Sequence, residues 1–569
     1  MAVHEIDEAL LEFVQSTAEG NPLYVDEVIR SLRQAGRIEV NEGCATLVGQ
    51  PGDLVLPVNL EGMIASRIDA LGPAAKGVLQ IAATVGVTFP VALVREASGL
   101  DDIGPLLSDL AERGIVERSS PDQLGSAAFS SVLLWEAVHR SILGVRLSEY
   151  HRMVADGMER LYGDGLDDRR MELAAHCAAG GQYLRAAGHA ERAGDRLRAQ
   201  QMIRPALSCW EEGVGWLDHV SRPGHATQVK EAMLRLKAGD GWRLAGDPRK
   251  AEIHLQVAQD LGEETGDTEV ESRATVGLGH LYKYMGRTVL SHASYDSARA
   301  LAIGVVTESE LSSAAPWRRE VAVDALNGMG SLALEKGDVK RGESLLGDAR
   351  RLAGSDDLLS ARVLAALALR YIRNGDHDSA MVQLEEARER AERAQDPLLL
   401  GRILNNLGTI HSESDRFDEA LEYYQAALKV REGIDYRMGA VINLHNIGDV
   451  HFRLGDAARA WAAFKRSRDL ASASGFDHGV IMNDAYMAFL EGQRGAEDTE
   501  TRLESIAQQA DKFAHSETRV NARLLLGKHR LAGGDEDGAR SVWNEGVQVA
   551  MDLGAPQLAR ALEASLAEL

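Results

Sequence analysis

Apolar residues along most of this chain recur at helical intervals, in stripes that come in pairs. Between Gly401 and Arg431, Leu404, Leu407, Gly408 and His411 share one helical face, Asp415 and Arg416 interrupt, and Ala420, Leu421, Tyr424, Ala427 and Leu428 begin a second stripe. Two such stripes joined by a short polar turn predict an antiparallel helix pair. The same text repeats. Turn residues fall at Gly181, Gly246, Gly286, Gly337, Gly375, Asp415, Gly455, Gly495 and Gly534, with a weaker tenth at Gln201. From Gly337 onward the turns follow one another in steps of 38, 40, 40, 40 and 39. A period this constant predicts a solenoid of stacked hairpins.

Seven residues before the turns stand Gly239, Gly279, Gly330, Ala368, Gly408, Gly448, Ala488 and Gly527, all small. Nine after stand Trp210, Leu255, Tyr295, Leu346, Leu384, Tyr424, Phe464 and Trp543, all bulky. The hairpin turning at Gly495 departs, with Glu500 and Glu504 where alanine and an aromatic belong, and is expected to pack less tightly. The step from Gly286 to Gly337 is 51, which places an insertion near Val305 to Pro316.

The first third reads differently. Ile6, Leu10, Phe13 and Val14 lie on one helical face between Glu5 and Thr17, and Gly20-Asn21-Pro22 forms a corner into a second helix. Arg37 to Val48 predicts a small hairpin of two strands. Helical patterns then cover Ala74 to Val85, Pro90 to Ser98 and Ile103 to Arg113, followed by short apolar pieces at Gly114 to Val116 and Ala127 to Phe129. Three helices and a two-stranded wing predict a winged helix. DNA recognition by Ile103 to Arg113 would require cations there, but Asp101, Asp102, Asp109, Glu112 and Glu117 outnumber Arg113 and Arg118. A structural winged helix is therefore expected.

Length and charge agree. The 569 residues exceed what one core usually organises, and aromatics are only 5% of them, which suits close helix contacts. A formal net charge of −24 disfavours nucleic acid and anionic lipid as partners. Cys44, Cys177 and Cys209 stand far apart without CxxC spacing, and neither a signal peptide nor an apolar run of membrane-spanning length is visible. A reduced, cytoplasmic protein without membrane contact is expected. No HExxH, GxSxG or G-x-x-x-x-G-K-[ST] occurs. His176 and Cys177 are adjacent and so face different ways on a helix. No catalysis, metal or cofactor is expected.

Two resemblances sharpen this reading. The twelve-residue separation of Gly408 from Ala420 resembles the tetratricopeptide repeat (TPR), and a period near 40 resembles the longer repeats of kinesin light chains and MalT-like regulators. That resemblance implies a concave groove lined by residues thirteen, ten, six, three and two before each turn. It implies groove positions for Asn327, Arg362, Arg373, Arg402, Asn405, His445, Phe452, Arg453 and Phe489, which could grip a peptide's carboxylates, amides and apolar side chains. The lysine-asparagine clamp of chaperone-binding TPRs is missing, with Ala365 and Leu369, and Asn405 and Thr409, at its positions. Separately, TAEGNPLYVDEVIRSL and LPVNLEGMIASRIDALGP resemble the lid region of STAND-type signalling ATPases. The text from Phe129, FSSVLLWEAVHRSIL, resembles the helices that follow their winged helix, with Ser131 and His139 replacing the usual histidine and tyrosine. This resemblance implies a nucleotide contact at Pro22 and an ATPase domain supplied in cis or in trans.

The expected architecture is mostly α: lid-like helices and a hairpin over 1–52, a winged-helix-like domain over 53–165, and a TPR superhelix of about nine to ten hairpins over 166–569. The expected role is a non-catalytic, regulatory protein-protein interaction module. The alternatives are a DNA-binding transcription regulator and a MalT-like sensor of small molecules or peptides.

Overall fold

The computed structural model describes residues 5–18, 25, 28–29, 32–33, 36–41, 44–48, 67–118, 125–304, 315–373, 375–512, 516–553 and 556–569. The chain forms two compact units, Met1–Ala186 and Ala187–Leu569. The division falls inside the helix Tyr183–Ala199, just after the first turn signal at Gly181.

In the N-terminal unit, strand β1 (Glu5–Ile6) precedes the helix Glu8–Ala18. The apolar stripe predicts Ile6 on that helix, and the structure does not place it there. The Asp7 amide donates to the Ala45 carbonyl at 2.9 Å, so Ile6 joins β3 (Cys44–Leu47) as a parallel neighbour and stays 51% exposed. β2 (Ile38–Asn41) pairs antiparallel with β3, as the hairpin pattern predicts. Leu10, Val14, Val28, Leu32 and Ala45 make the small core here. The Gly20-Asn21-Pro22 corner, with Asp26 and Glu27, lies outside the described residues, as does Leu56 to Ser66.

Helices Pro73–Val85, Val91–Ser98 and Gly104–Glu112 then combine with three strands. β4 (Thr88–Pro90), β5 (Val116–Arg118) and β6 (Ser126–Phe129) form an antiparallel sheet in the order β4-β6-β5. Strand β4 is too short to alternate: Phe89 is its one buried side chain, so period-2 patterning has nothing to report. Ser131 accepts a hydrogen bond from the Leu134 amide at 3.2 Å, capping the helix Val132–Arg140, and His139 stacks on Trp135.

The C-terminal unit is a helical solenoid. From Asp357 to Asp477, seven successive helices begin at one constant interval, at Asp357, His377, Pro397, Phe417, Arg437, Ala457 and Asp477. Each repeat is thus two nearly identical steps. The recurring Gly-Asp text has a physical cause. The first residue takes a left-handed backbone, with φ of 80° at Gly337, 74° at Gly375 and 75° at Gly455. The aspartate then caps the next helix: Asp338 accepts from the Arg341 amide, Asp376 from Ser379 and Asp456 from Arg459. Gln201 and Asp415 occupy the same left-handed corner at φ of 65° and 58° without being glycine, so all ten turn positions share one backbone geometry.

The small and bulky positions meet. A methyl group added at Gly408 would stand 2.7 Å from Tyr424 Cδ1, one at Gly279 2.7 Å from Tyr295 Cδ1, and one at Gly448 2.6 Å from Phe464 Cε1. The hairpin after Gly495 differs as its carboxylates suggest, but it stays packed. Its second helix, Thr499–Ala510, buries Leu503, Ile506, Ala507 and Ala510, while Glu500 and Glu504 both bond to Arg530. The packed face has slipped by one position, from Glu504 to Leu503. The insertion over 305–314 lies outside the described residues, and the next helix starts at Pro316.

Candidate groove site

The solenoid of the C-terminal unit curls until its early repeats meet later ones. Arg204 Nε donates to Asp435 Oδ2 at 3.1 Å across 231 residues of sequence. Tyr284 lies against Phe476 with ring centroids 5.2 Å apart, in a cluster with Met438, Val441 and Tyr436. Leu398 and Tyr436 pack on the core built from Ile203, Trp210 and Leu234. Gly246 fits against this seam: a methyl group there would come within 3.2 Å of Met438 Cγ. The inner face of this turn is therefore walled on both sides.

The nine sequence-predicted groove residues fare unequally. Asn327 Nδ2 donates to the Arg362 carbonyl at 3.1 Å, bridging adjacent helices. Arg362 pairs with Asp324 at 2.8 Å and Glu320 at 3.6 Å. Asn405 Oδ1 accepts from Asn443 Nδ2 at 2.9 Å and Asn446 Nδ2 at 3.1 Å. His445 is buried, with Nδ1 3.1 Å from Asn483 Oδ1 and its ring on Phe464 and Tyr486. Phe489 is buried, and half-buried Phe452 meets both it and Tyr486 edge to face. Arg453 reaches back to Ser412 and Asp415 at a hairpin turn, over the Phe417 ring. The Arg373 side chain and Pro22 lie outside the described residues.

Three of these residues are engaged within the fold. His445 and Phe489 are core residues, because the helix that carries each is covered by its neighbours in the stack. Arg453 serves the turn. Asn327 and Asn405 hold helices together through polar groups that a ligand would otherwise have met. Arg402 stands apart: its side chain is accessible, and among the described residues no hydrogen bond or ion pair engages its guanidinium. Neighbouring protein atoms and the charge of Arg362 lower its pKa below the usual arginine value.

The family comparisons fit this architecture. Residues 399–473 match the family described as Tetratricopeptide repeat. That match runs from the helix Pro397–Glu413 to the helix Ala457–Ala473. Residues 1–46 match the family described as Domain of unknown function (DUF8739). No curated protein matches the chain. Among solved structures, a Rap protein complexed with competence and sporulation factor is 12% identical, with 65% of this chain and 99% of that one covered and a TM-score of 0.45. A STAND protein with a tetratricopeptide repeat sensor from Pyrococcus horikoshii is 11% identical, with 96% of this chain and 71% of that one covered and a TM-score of 0.39. The Rap conjugation gene regulator of plasmid pLS20, in complex with the Phr* peptide, is 13% identical over 66% of this chain and 97% of that one, with a TM-score of 0.42.

The groove offsets, applied to the earlier TPRs, find residues absent from the predicted set. Three before the turns at Gln201 and Gly246 stand Arg198 and Arg243, six before Gly246 and Gly286 stand Asp240 and His280, and thirteen before Gly337 stands Asp324. His280 Nδ1 lies 2.8 Å from the Tyr295 hydroxyl, and burial pushes its pKa down to about 3, so it is neutral. Arg243 pairs with Asp240 at 3.3 Å. Arg198, accessible like Arg402, has no bonded partner among the described residues, and loss of solvation lowers its pKa too. The signal for all of these is present in the offsets themselves.

Chemistry elsewhere is quiet. His151 and His176 face each other with Nδ1 atoms 2.9 Å apart, and burial pushes both to about 4, so one donates and the other accepts as neutral rings. Burial pushes the Cys177 thiol up to about 11, which leaves it a poor nucleophile. All three cysteines are free. No described helix is long and apolar enough to cross a membrane, and no described cluster of His, Cys, Asp and Glu could hold a metal ion.

Proposed function

We propose that this chain is a non-catalytic regulatory module that binds a peptide or protein segment in the walled turn of its TPR groove. The observation that carries the reading is the meeting of Arg204 with Asp435 and of Tyr284 with Phe476, which encloses a concave face whose cations are not all paired. An extended chain fits such a groove because side-chain donors and half-buried aromatics can meet its backbone and side chains together. The STAND-like text around GNPLY supports placing the module beside a signalling ATPase, in cis or in trans, in the cytoplasm.

In the same reading, the described residues 67–118 and 125–129 belong to a winged helix with a structural role. Its would-be recognition helix buries Ile103, Leu107 and Leu110, Arg113 pairs with Asp109 at 2.9 Å, and Asp102 accepts from the Gly104 amide at 2.7 Å. Carboxylates at that surface repel phosphate. Thermal melting of the full chain with pooled synthetic peptides, and separately with sugars, tests the assignment. A ligand of the folded state must raise the melting temperature. A rise with peptides supports the reading; a rise with sugars alone, or specific DNA retardation at physiological salt, defeats it.

A further inference from the structure

Where the solenoid of the C-terminal unit returns on itself, the two faces meet through side chains, and among the described residues no main-chain hydrogen bond links them. Apolar contacts hold this seam closed. Tyr284 lies on Phe476, and a methyl group at Gly246 would stand 3.2 Å from Met438 Cγ and 3.3 Å from Ser474 Cβ. Its polar groups do little for closure. Arg204 and Asp435 meet at 3.1 Å with side chains 42% and 35% exposed, so water screens the pair strongly. Asp435 Oδ1 also accepts from Arg437 Nε at 3.1 Å, and parting the seam leaves the carboxylate that second partner. The Tyr284 hydroxyl and Ser474 Oγ are buried here without a hydrogen-bond partner among the described residues. Water would bond both once the faces separate.

Successive hairpins are joined differently. Asn443 Nδ2 donates to Asn405 Oδ1 at 2.9 Å, and Arg453 Nη1 donates to the Ser412 carbonyl at 2.9 Å, so parting those helices would strand polar groups that are now bonded. Parting the seam loses apolar contact but solvates two hydroxyls, and these terms oppose one another. We propose that the seam is a clasp, which opens as a unit between Gly246 and Tyr284 on one face and Met438, Ser474 and Phe476 on the other while the hairpins behind them stay folded. Opening uncovers the inner face of the turn from the side. Because the closed and open states differ by partly cancelling terms, anything that binds one face of the seam shifts the population between them. The clasp needs no ligand to open, and it stands apart from the groove-binding reading.

The test places a reporter in the seam. In the full chain carrying Ser474→Cys, a near-isosteric change, labelling by N-ethylmaleimide is followed by mass spectrometry, which separates position 474 from the native Cys44, Cys177 and Cys209. Labelling at 474 is expected to be slower than that of a short unstructured peptide and to rise only weakly with urea. Its urea dependence should lie far below that of unfolding read by circular dichroism, because seam opening exposes little surface. Arg204→Asp sets two carboxylates face to face and should raise the rate about threefold or more. Tyr284→Phe removes the stranded hydroxyl and should lower it about threefold or more, with both melting temperatures near that of the native chain. A urea dependence equal to that of unfolding overturns the clasp, since the seam then opens only when the hairpins do. Labelling as fast as that of the peptide shows a seam that does not close, and a rate that neither variant moves places the exposure elsewhere; either result also overturns it.

Discussion

Two regions of one groove, built from the same helix pattern, have used their polar residues in opposite ways. In the region containing Asn405, Asn443, His445 and Asn483, each amide or ring is bonded to a neighbouring helix. Arg431 Nη1 donates to both Asn443 Oδ1 and the Gly439 carbonyl at 2.7 Å, and Asn483 Nδ2 donates to Ser467 Oγ at 2.9 Å and to the Gly479 carbonyl at 2.6 Å. Arg198 and Arg402, by contrast, are exposed, and neither has a bonded partner among the described residues. The difference teaches that offset from the turn decides where a residue stands, while its neighbour one rung along decides whether it is free. Asn405 meets Asn443 and is engaged; Arg402 has no bonded partner among the described residues.

Breaking the shared pattern should produce the largest effect. Gly408→Val drives a branched side chain into Tyr424 and is expected to lower stability by about 3 kcal/mol or more, read by urea denaturation. A loss below ~1 kcal/mol would mean the hairpins are looser than their spacing implies. Next comes the filled region. Asn483→Ala leaves the Ser467 hydroxyl, His445 and the Gly479 carbonyl without their partner, and about 2 kcal/mol of destabilisation is expected. An effect near zero would place Asn483 with the free residues and dissolve the contrast.

Much of this is legible in the sequence, and the failures have physical causes. The solenoid, its turns and the Gly408–Tyr424 type of contact follow from spacing, since a left-handed corner, an aspartate cap and a small-to-bulky contact each demand a particular residue at a fixed interval. The fate of groove residues is not legible, because Asn405 and Arg402 sit one helical turn apart and differ chiefly in what stands across the groove. Meetings of repeats far apart in the chain, as at Arg204 and Asp435, leave no local trace. Strands β1 and β4, two and three residues long, are too short for alternation to reveal.

Acid sharpens the comparison over a range of pH. His151 and His176, near 4 in the folded state against an ordinary value near 6.5, and His280, near 3, are held neutral. Between those values the unfolded chain binds more protons, so their contribution is complete above about pH 6.5 and is lost as pH falls toward 4. Stability should fall over that window by up to about 3 kcal/mol for each histidine of the pair, read by denaturation at each pH. His176→Phe should flatten the decline. Because His280 stays neutral, peptide retention by the groove should not follow that titration. The smallest effect belongs to Arg453→Ala, which removes the turn contacts with Ser412, Asp415 and the Phe417 ring; about 1 kcal/mol is expected by denaturation, with ligand retention unchanged.

The central claim is that the walled turn of the groove serves a ligand, so that its unpaired cations, Arg198 and Arg402 among them, are not needed by the fold. Melting of the Arg198→Gln/Arg402→Gln double variant in ligand-free buffer, beside the native chain, tests it most directly. The account predicts a melting temperature equal to that of the native protein, since two exposed charges are removed without breaking a bond. A clear fall would show that the two arginines hold the groove together, and would contradict the claim.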